Sequence, residues 1–144
     1  MKPTLSSCVC PHAGWARRAA LGVLLAACAL NVAQAATAAE MLATYGAQAG
    51  ATPVPARGQQ FFNTTQGREW QCATCHGAVP TQAGKHASTA KPISALAPAF
   101  NPERFTDPAK VEKWFRRNCN DVVGRECSAA EKADLLAWLM SIRP

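Results

Sequence analysis

Cys72-Ala73-Thr74-Cys75-His76 is the stretch from which the rest of this chain is read. Two thiols three residues apart can each reach one vinyl group of a haem and form two thioether bonds. The histidine that follows them is placed to aim its imidazole at the iron. The expected cofactor is one covalently attached haem c, held by Cys72 and Cys75, with His76 as the proximal ligand. Two other chemistries use such cysteines. A redox dithiol belongs in a βαβ pattern, and none surrounds this pair. A zinc site would take Cys119 and Cys127 as its other ligands, but their separation does not repeat the short-knuckle spacing.

Working back from the motif, the chain starts with Lys2, Arg17 and Arg18 and no acidic residue. It then runs apolar from Ala19 to Ala33 and reaches Ala33-Gln34-Ala35. A basic start, an apolar middle and a small-x-small exit are the parts of a secretory signal peptide, expected over residues 1–35. The apolar run is short of the roughly 20 residues that span a bilayer. Leu25-Ala26-Ala27-Cys28 also resembles a lipobox, which would make the mature protein a membrane-anchored lipoprotein through Cys28. The apolar run continues past Cys28, which favours the cut after Ala35. A periplasmic protein is expected.

That cut changes the composition. The full chain has 144 residues, a net charge of +6, seven cysteines and only 7% aromatics, a length suited to one domain without an aromatic-rich core. Removing 35 of the 144 residues leaves 109, with 12 basic against 9 acidic side chains and a net charge of +3. Cys8, Cys10 and Cys28 leave too, so four cysteines remain: Cys72, Cys75, Cys119 and Cys127. In an oxidising compartment these are expected to be paired or ligated. Two haem propionates would bring the charge to about +1, and nucleic-acid binding then loses its support. The basic character left is local, in Lys113, Arg116 and Arg117.

The remainder reads as mostly α-helical, without strand-like alternation. Residues 36–56 are expected to form an N-terminal helix and a Pro-rich linker, and residues 57–144 the haem domain, with the helix packed on it. Met41, Leu42 and Tyr45 share one side of the first helix. Gly58 and Phe62 sit at i, i+4 in the second. Residues 78–104 carry Pro80, Pro92, Pro98 and Pro102 and read as an extended chain anchored by Ile93, Leu96 and Phe100. Asp107-Pro108 opens a helix in which Val111, Trp114, Phe115 and Asn118 fall on one face. Cys119 to Cys127 reads as a short loop. Ser128 to Glu131 is a capping box before a last helix with Leu135, Trp138, Leu139 and Ile142 on one face. Gly58, Phe62 and Trp138 resemble the crossed terminal helices of class I cytochromes c, so the expected fold is all-α and class I cytochrome c-like around one haem.

An electron-carrying cytochrome c commonly uses a methionine as its second axial ligand. Here Met41 lies near the new N-terminus and Met140 lies inside the last helix, and neither is in a loop between motif and helix. The candidates left are His86 and Asn118. His86 would give a bis-histidine haem, or else it is a solvated loop histidine among Lys, Ser and Thr. Asn118 shares a helix face with Val111 and Trp114, apolar groups suited to line a haem pocket, or else it caps the helix end.

Arg104-Phe105-Thr106-Asp107, Val111-Glu112-Lys113-Trp114, Arg117-Asn118-Cys119-Asn120, Gly124-Arg125-Glu126-Cys127 and Glu131 to Leu139 resemble the sphaeroides haem protein family of small periplasmic c-type cytochromes. The similarity spans essentially the whole mature chain, and Arg-Asn-Cys-Asn is its most specific part. The resemblance implies that Asn118 is the sixth ligand of the oxidised iron and that Cys119 and Cys127 form a disulfide beside it. It implies that the asparagine leaves on reduction, so that O₂ or NO can bind. It also implies electron delivery from a dihaem cytochrome c linked to a membrane cytochrome b. An amide oxygen is a hard, neutral, weak-field donor, better suited to ferric than to ferrous iron, which agrees with such a release. The segment from Ala78 to Lys91, with His86, departs from the family.

Three functions stand side by side at this point. The first is electron transfer coupled to O₂ or NO binding. The second is plain electron transfer with His/Asn or His/His ligation. The third is an enzyme turning over NO, O₂ or peroxide, for which no distal acid/base pair is legible.

Overall fold

The computed structural model describes residues 36–144, and the expected export segment with Cys28 lies outside the described residues. Chain order is α1 (Ala38–Ala49), α2 (Pro55–Asn63), α3 (Cys72–His76), β1 (Gly84–Lys85), β2 (Pro92–Ile93), α4 (Pro108–Val122) and α5 (Ala129–Ser141).

Local chemistry sets each boundary. Thr37 and Glu40 cap α1 reciprocally, with Thr37 N donating to Glu40 Oε2 at 2.7 Å and Glu40 N to Thr37 Oγ1 at 3.2 Å. Gly50, at φ 61°, ends the helix in the left-handed region. Pro53 and Pro55 break the chain, and Pro55 then occupies the first turn of α2, where a missing N–H costs nothing. Asp107 caps α4 by accepting from Lys110 N at 3.0 Å. Ser128 and Glu131 form the capping box of α5.

α5 is the centre of the assembly. Its sequence pattern suggests one apolar face, yet Ala133, Asp134, Leu135 and Leu136 are buried in succession, as are Trp138 and Leu139. A helix buried on several sides must be covered by several partners. α1 brings Met41 and Tyr45 against it and α2 brings Gly58 and Phe62. Val111, Phe115 and Cys119 of α4 belong to the same core. Tyr45, Phe62, Leu136 and Leu139 are fully enclosed, each contributing about 1.5–3 kcal/mol relative to exposure.

α2 and α5 meet backbone to backbone. A Cβ added at Gly58 would collide with the Asp134 carbonyl and stand 2.7 Å from Leu135 N. The crossing is locked by a carboxylate. Asp134 is 6% exposed and accepts from Val54 N at 2.5 Å, from Arg57 Nε at 2.6 Å and from Arg57 Nη2 at 3.0 Å. One buried charge thereby satisfies both the entry to α2 and its first cation.

Three expectations change here. The Pro-rich segment is not wholly unpaired, because β1 and β2 form an antiparallel pair with Gly84 opposite Ile93 and Lys85 opposite Pro92. It is only two residues long, and Pro92 offers no N–H to extend it. Phe100 is not an anchor. The turn bond from Phe100 N to Ala97 O (3.0 Å) leaves the ring 37% exposed, while Ala97 is fully buried. Finally, α4 does not stop at Cys119 but continues to Val122, so the expected loop between the two cysteines is largely helix at its start.

Two outcomes follow for stability. Gly58→Ala should lower unfolding free energy by about 1–3 kcal/mol, because the obstructing atoms are backbone and the helices must part. Gly46→Ala, whose nearest neighbour is Pro53 Cγ at 3.5 Å, should be neutral or stabilising by up to about 1 kcal/mol in the same denaturant titration. The Arg125 hydrogen bonds hold the Glu131 carboxylate below its ordinary value, against the opposing effect of burial and with help from the Ser128 amide. A lowered carboxylate contributes stability above its unfolded value, near 4.5, and loses it as pH falls through the folded value. Thermal midpoints followed by far-UV circular dichroism should therefore drop on acidification below about pH 4.5, and Glu131→Gln should drop less steeply from a lower start.

Candidate haem site

α3 is a single turn with Cys72 at its first position and His76 at its last. The i, i+3 spacing puts Cys72 and Cys75 on one side of that turn. The Thr74 hydroxyl accepts from Gln71 N at 3.2 Å to start it, and Gly77 ends it, donating its N–H to Ala73 O at 2.8 Å with φ 77°.

Both thiols are free and half-buried. Burial, and secondarily the neighbouring Cys75, pushes the Cys72 thiol up to about 11. Burial, and secondarily the positive charge of Arg104, pulls His76 down to about 4. The imidazole is therefore neutral at physiological pH, the form with a lone pair for a metal. Its ring is placed by aromatic packing. Phe62 lies 6.1 Å from His76, ring centroid to ring centroid, and 5.0 Å from Trp138 on α5.

The β1–β2 hairpin presses on the same turn from outside. A Cβ at Gly84 would collide with the Cys75 carbonyl oxygen and stand 3.0 Å from His76 Cα. Ala87 N donates to Cys75 Sγ at 3.3 Å. His86 belongs to this hairpin. Its N–H donates to Lys91 O (2.9 Å), its carbonyl accepts from Ala90 N (2.9 Å), and its Nδ1 accepts from Thr89 N (3.3 Å). His86 is half-buried and caps its own turn rather than standing free in solvent.

On α4, the face expected to hold Val111, Trp114, Phe115 and Asn118 together divides in two. Val111, Phe115 and Cys119, spaced at i, i+4, i+8, are buried. Trp114, 41% exposed, and Asn118, one turn later, are open on the adjacent flank. Lys113 Nζ and the Arg117 guanidinium lie 5.8 and 5.6 Å from the Trp114 ring centre. Asn118 is inside the helix, since the carbonyl that accepts the closing N–H groups of Val123 and Gly124 belongs to Cys119, so Asn118 is not a cap. Cys119 and Cys127 are bridged, with Cα atoms 5.7 Å apart. Met41 is 5% exposed in the core, and Met140 packs against that core.

This donor set suits a haem better than a bare ion. Among the described residues no three His, Cys, Asp or Glu side chains converge on one point as a metal site would require. Two reduced thiols on one side of a helical turn, with a neutral imidazole next to them, are what a macrocycle with two vinyl groups and a central iron needs.

Three contributors escaped the sequence reading. The Arg104 charge that lowers His76 and the Gly84 contact with Cys75 come from a segment without regular periodicity, which carries no signal for either. Asp134 sits within an apolar run on α5, and that exception to the pattern was the available clue.

Residues 48–139 match a family described as a domain of unknown function, DUF1924. The chain is 52% identical over 105 residues to cytochrome c-type protein SHP of Cereibacter sphaeroides, covering 70% of this chain and 81% of that protein. It is similar to a solved structure described as oxidized SHP, an oxygen binding cytochrome c, with TM-score 0.70 and 48% identity over 75% of this chain and 99% of that one. It is also similar to the solution structure of Methylophilus methylotrophus cytochrome c'', with TM-score 0.63 and 38% identity over 74% and 94% of the two chains. That structure is described as giving insight into haem-ligand detachment. The all-α, cytochrome c-like fold expected from the sequence is the fold these neighbours share.

Because Gly84 touches backbone of the motif, Gly84→Ala should displace Cys75 or His76. The haem-to-protein ratio of the purified variant, read from its absorbance as a pyridine complex, should fall, while Gly46→Ala, whose nearest neighbour is Pro53 Cγ at 3.5 Å, should retain the wild-type ratio.

Proposed function

The chain belongs to the family of cytochrome c-type protein SHP, its cofactor is a single covalent haem c, and from that premise we propose that it is a periplasmic electron-transfer protein that binds O₂ or NO when reduced. Cys72 and Cys75 hold the haem and His76 is the proximal ligand. Asn118 is the displaceable sixth ligand of the oxidised form. The haem supplies a one-electron couple and, in its ferrous state, a coordination position that a diatomic gas can take.

The observation that carries this reading is the split face of α4. The buried stripe anchors the helix, which leaves Trp114 and Asn118 side by side on an open flank of a rigid element. The packed positions of Met41 and Met140 add to it, since neither thioether is on a free loop. An amide oxygen is a weak donor that ferrous iron holds poorly. The Cys119–Cys127 bridge restrains the residue next to Asn118, so release moves the side chain rather than the helix. The freed amide can then donate a hydrogen bond to the gas. Lys113, Arg116 and Arg117 around this flank suit an acidic redox partner, for which a dihaem cytochrome c or a membrane cytochrome b would serve as donor.

The ferric protein should show a high-spin spectrum and the ferrous protein should take up CO or NO readily. Asn118→Ala should alter the ferric spectrum and leave ferrous gas binding in place. His86→Ala should leave both spectra as they are. Low-spin spectra in both states with indifference to CO would refute this assignment, and a ferric spectrum that changes with His86→Ala but not Asn118→Ala would move the sixth ligand to His86.

A further inference from the structure

α3 cannot hold a metal ligand by itself. A helix of 5 residues is too short to be stable alone, so what fixes His76 must come from outside the turn. Phe62 supports the imidazole ring. The backbone is supported by the loop from Pro80 to Ala97, which is closed at its neck, its middle and its tip. At the neck, Leu96 N and Ala97 N both donate to Pro80 O at 3.1 Å. In the middle, β1 pairs with β2. At the tip, His86 bonds to Lys91, Ala90 and Thr89. Ala90 sits there at φ 57°, a conformation that costs a residue with a Cβ energy and persists only where its surroundings enforce it.

This closed loop presents two groups to α3. Gly84 lies against the backbone of Cys75 and His76, with no room for a side chain. Ala87 N donates to Cys75 Sγ at 3.3 Å. The N–H groups of His86, Thr89 and Ala90 bond within the turn, so the Ala87 N–H is the one that reaches out of it. The two contacts act in opposite senses. Gly84 blocks movement of the motif backbone toward the hairpin, and the Ala87 N–H resists its withdrawal. Contacts of this outer kind orient a metal ligand and hold it in place.

We propose that the Pro80–Ala97 loop is a clamp on the proximal side of the haem, in which Gly84 and the Ala87 N–H are positioning groups that keep His76 bound while the opposite position passes from asparagine to gas. This rests on the ligation and gas binding proposed above. NO is the hardest case, because strongly bound NO weakens the bond on the opposite side of the iron. A histidine carried on a lone helical turn has little to oppose its own release, whereas one whose backbone is held on two sides has. The two faces of the iron then make opposite demands. Asn118 must leave easily and stands on an open flank, while His76 must stay and lies under a closed hairpin.

The test is electron paramagnetic resonance of the haem-loaded ferrous protein treated with NO, which shows whether a nitrogen ligand remains opposite the gas. The wild type should show that nitrogen splitting. Ala87→Pro, which removes the donor, should lose most of it. Where Ala87→Pro yields no haem-loaded protein, His86→Ala, which unties the tip from Thr89, is read in its place by the same criterion. Thr37→Ala removes the α1 cap and lowers stability away from the hairpin, and should keep the splitting. Absence of the splitting in the wild type overturns the proposal. So does its full retention in the hairpin variant with only a lower thermal midpoint, since the loop would then be merely structural. An equal loss in Thr37→Ala overturns it too. Residue-resolved hydrogen exchange of the oxidised protein, by mass spectrometry, tests the latch without any gas. The Ala87 amide should exchange more slowly than that of Ser88, which has no partner among the described residues. Fast Ala87 exchange with normal NO uptake overturns the clamp and leaves the gas-binding reading in place. Slow exchange with no NO uptake overturns the gas-binding reading, and with it the role given to the clamp.

Discussion

Backbone contact between α2 and α5 is the constraint from which the rest of the structure follows. Gly58 admits the Asp134 carbonyl where any side chain would hold it off. Asp134 then turns its carboxylate to Val54 N and Arg57 and fixes the angle of entry into α2. One turn further along each helix, Phe62 and Trp138 meet at 5.0 Å, and Phe62 continues the contact to His76. The orientation of the imidazole is thus inherited, through two rings, from the absence of one methyl group.

α4 is attached by different means. Its apolar stripe is narrow, and polar contacts supplement it. Glu112 accepts from Tyr45 OH at 2.6 Å and from Lys132 Nζ at 2.8 Å, tying α4 to α1 and α5 together. Lys132 Nζ also lies 5.3 Å from the Tyr45 ring and 5.6 Å from that of Phe115, cation–π contacts of about 0.5–2 kcal/mol each depending on desolvation. Burial works to raise Glu112, but these hydrogen bonds outweigh it and the carboxylate stays below its ordinary value. The polar side of the cluster therefore remains charged at neutral pH, and α4 presents its open flank from a fixed base.

Reading the sequence recovered what depends on short-range rules. Capping chemistry placed the starts of α4 and α5, because Asp107 and Ser128–Glu131 act within four residues. The haem motif was legible because its chemistry is contained in five consecutive residues. Gly58 and Trp138 were legible as a pair only through resemblance to a known crossing of helices. Periodicity failed where three dimensions intervene. It grouped Trp114 and Asn118 with Val111 and Phe115, since a one-face pattern cannot say which part of a broad sector is covered. Apolar character alone made Phe100 an anchor of the Pro-rich segment, since hydrophobicity does not reveal a turn that faces outward. Arg104 was visible only as part of a resembling segment, and its partners were not, since they are carbonyl groups, which every sequence has.

The continuation of α4 beyond Cys119 bears on how fast the molecule can respond. The helix runs on to Val122, and its carbonyl at Cys119 closes the end by accepting from Val123 and Gly124. The bridge to Cys127 is rooted in that regular segment rather than in a loose loop. The side chain at position 118 stands one turn before the helix end, and that last turn is held by the bridge from Cys119. Its excursions are rotamer changes, which exposed residues make in picoseconds to nanoseconds, rather than the microsecond-to-millisecond rearrangement of an element. With Asn118 as the displaceable ligand proposed above, little of the scaffold would need to reorganise with each electron, and the barrier to exchange would rest with the iron and the asparagine.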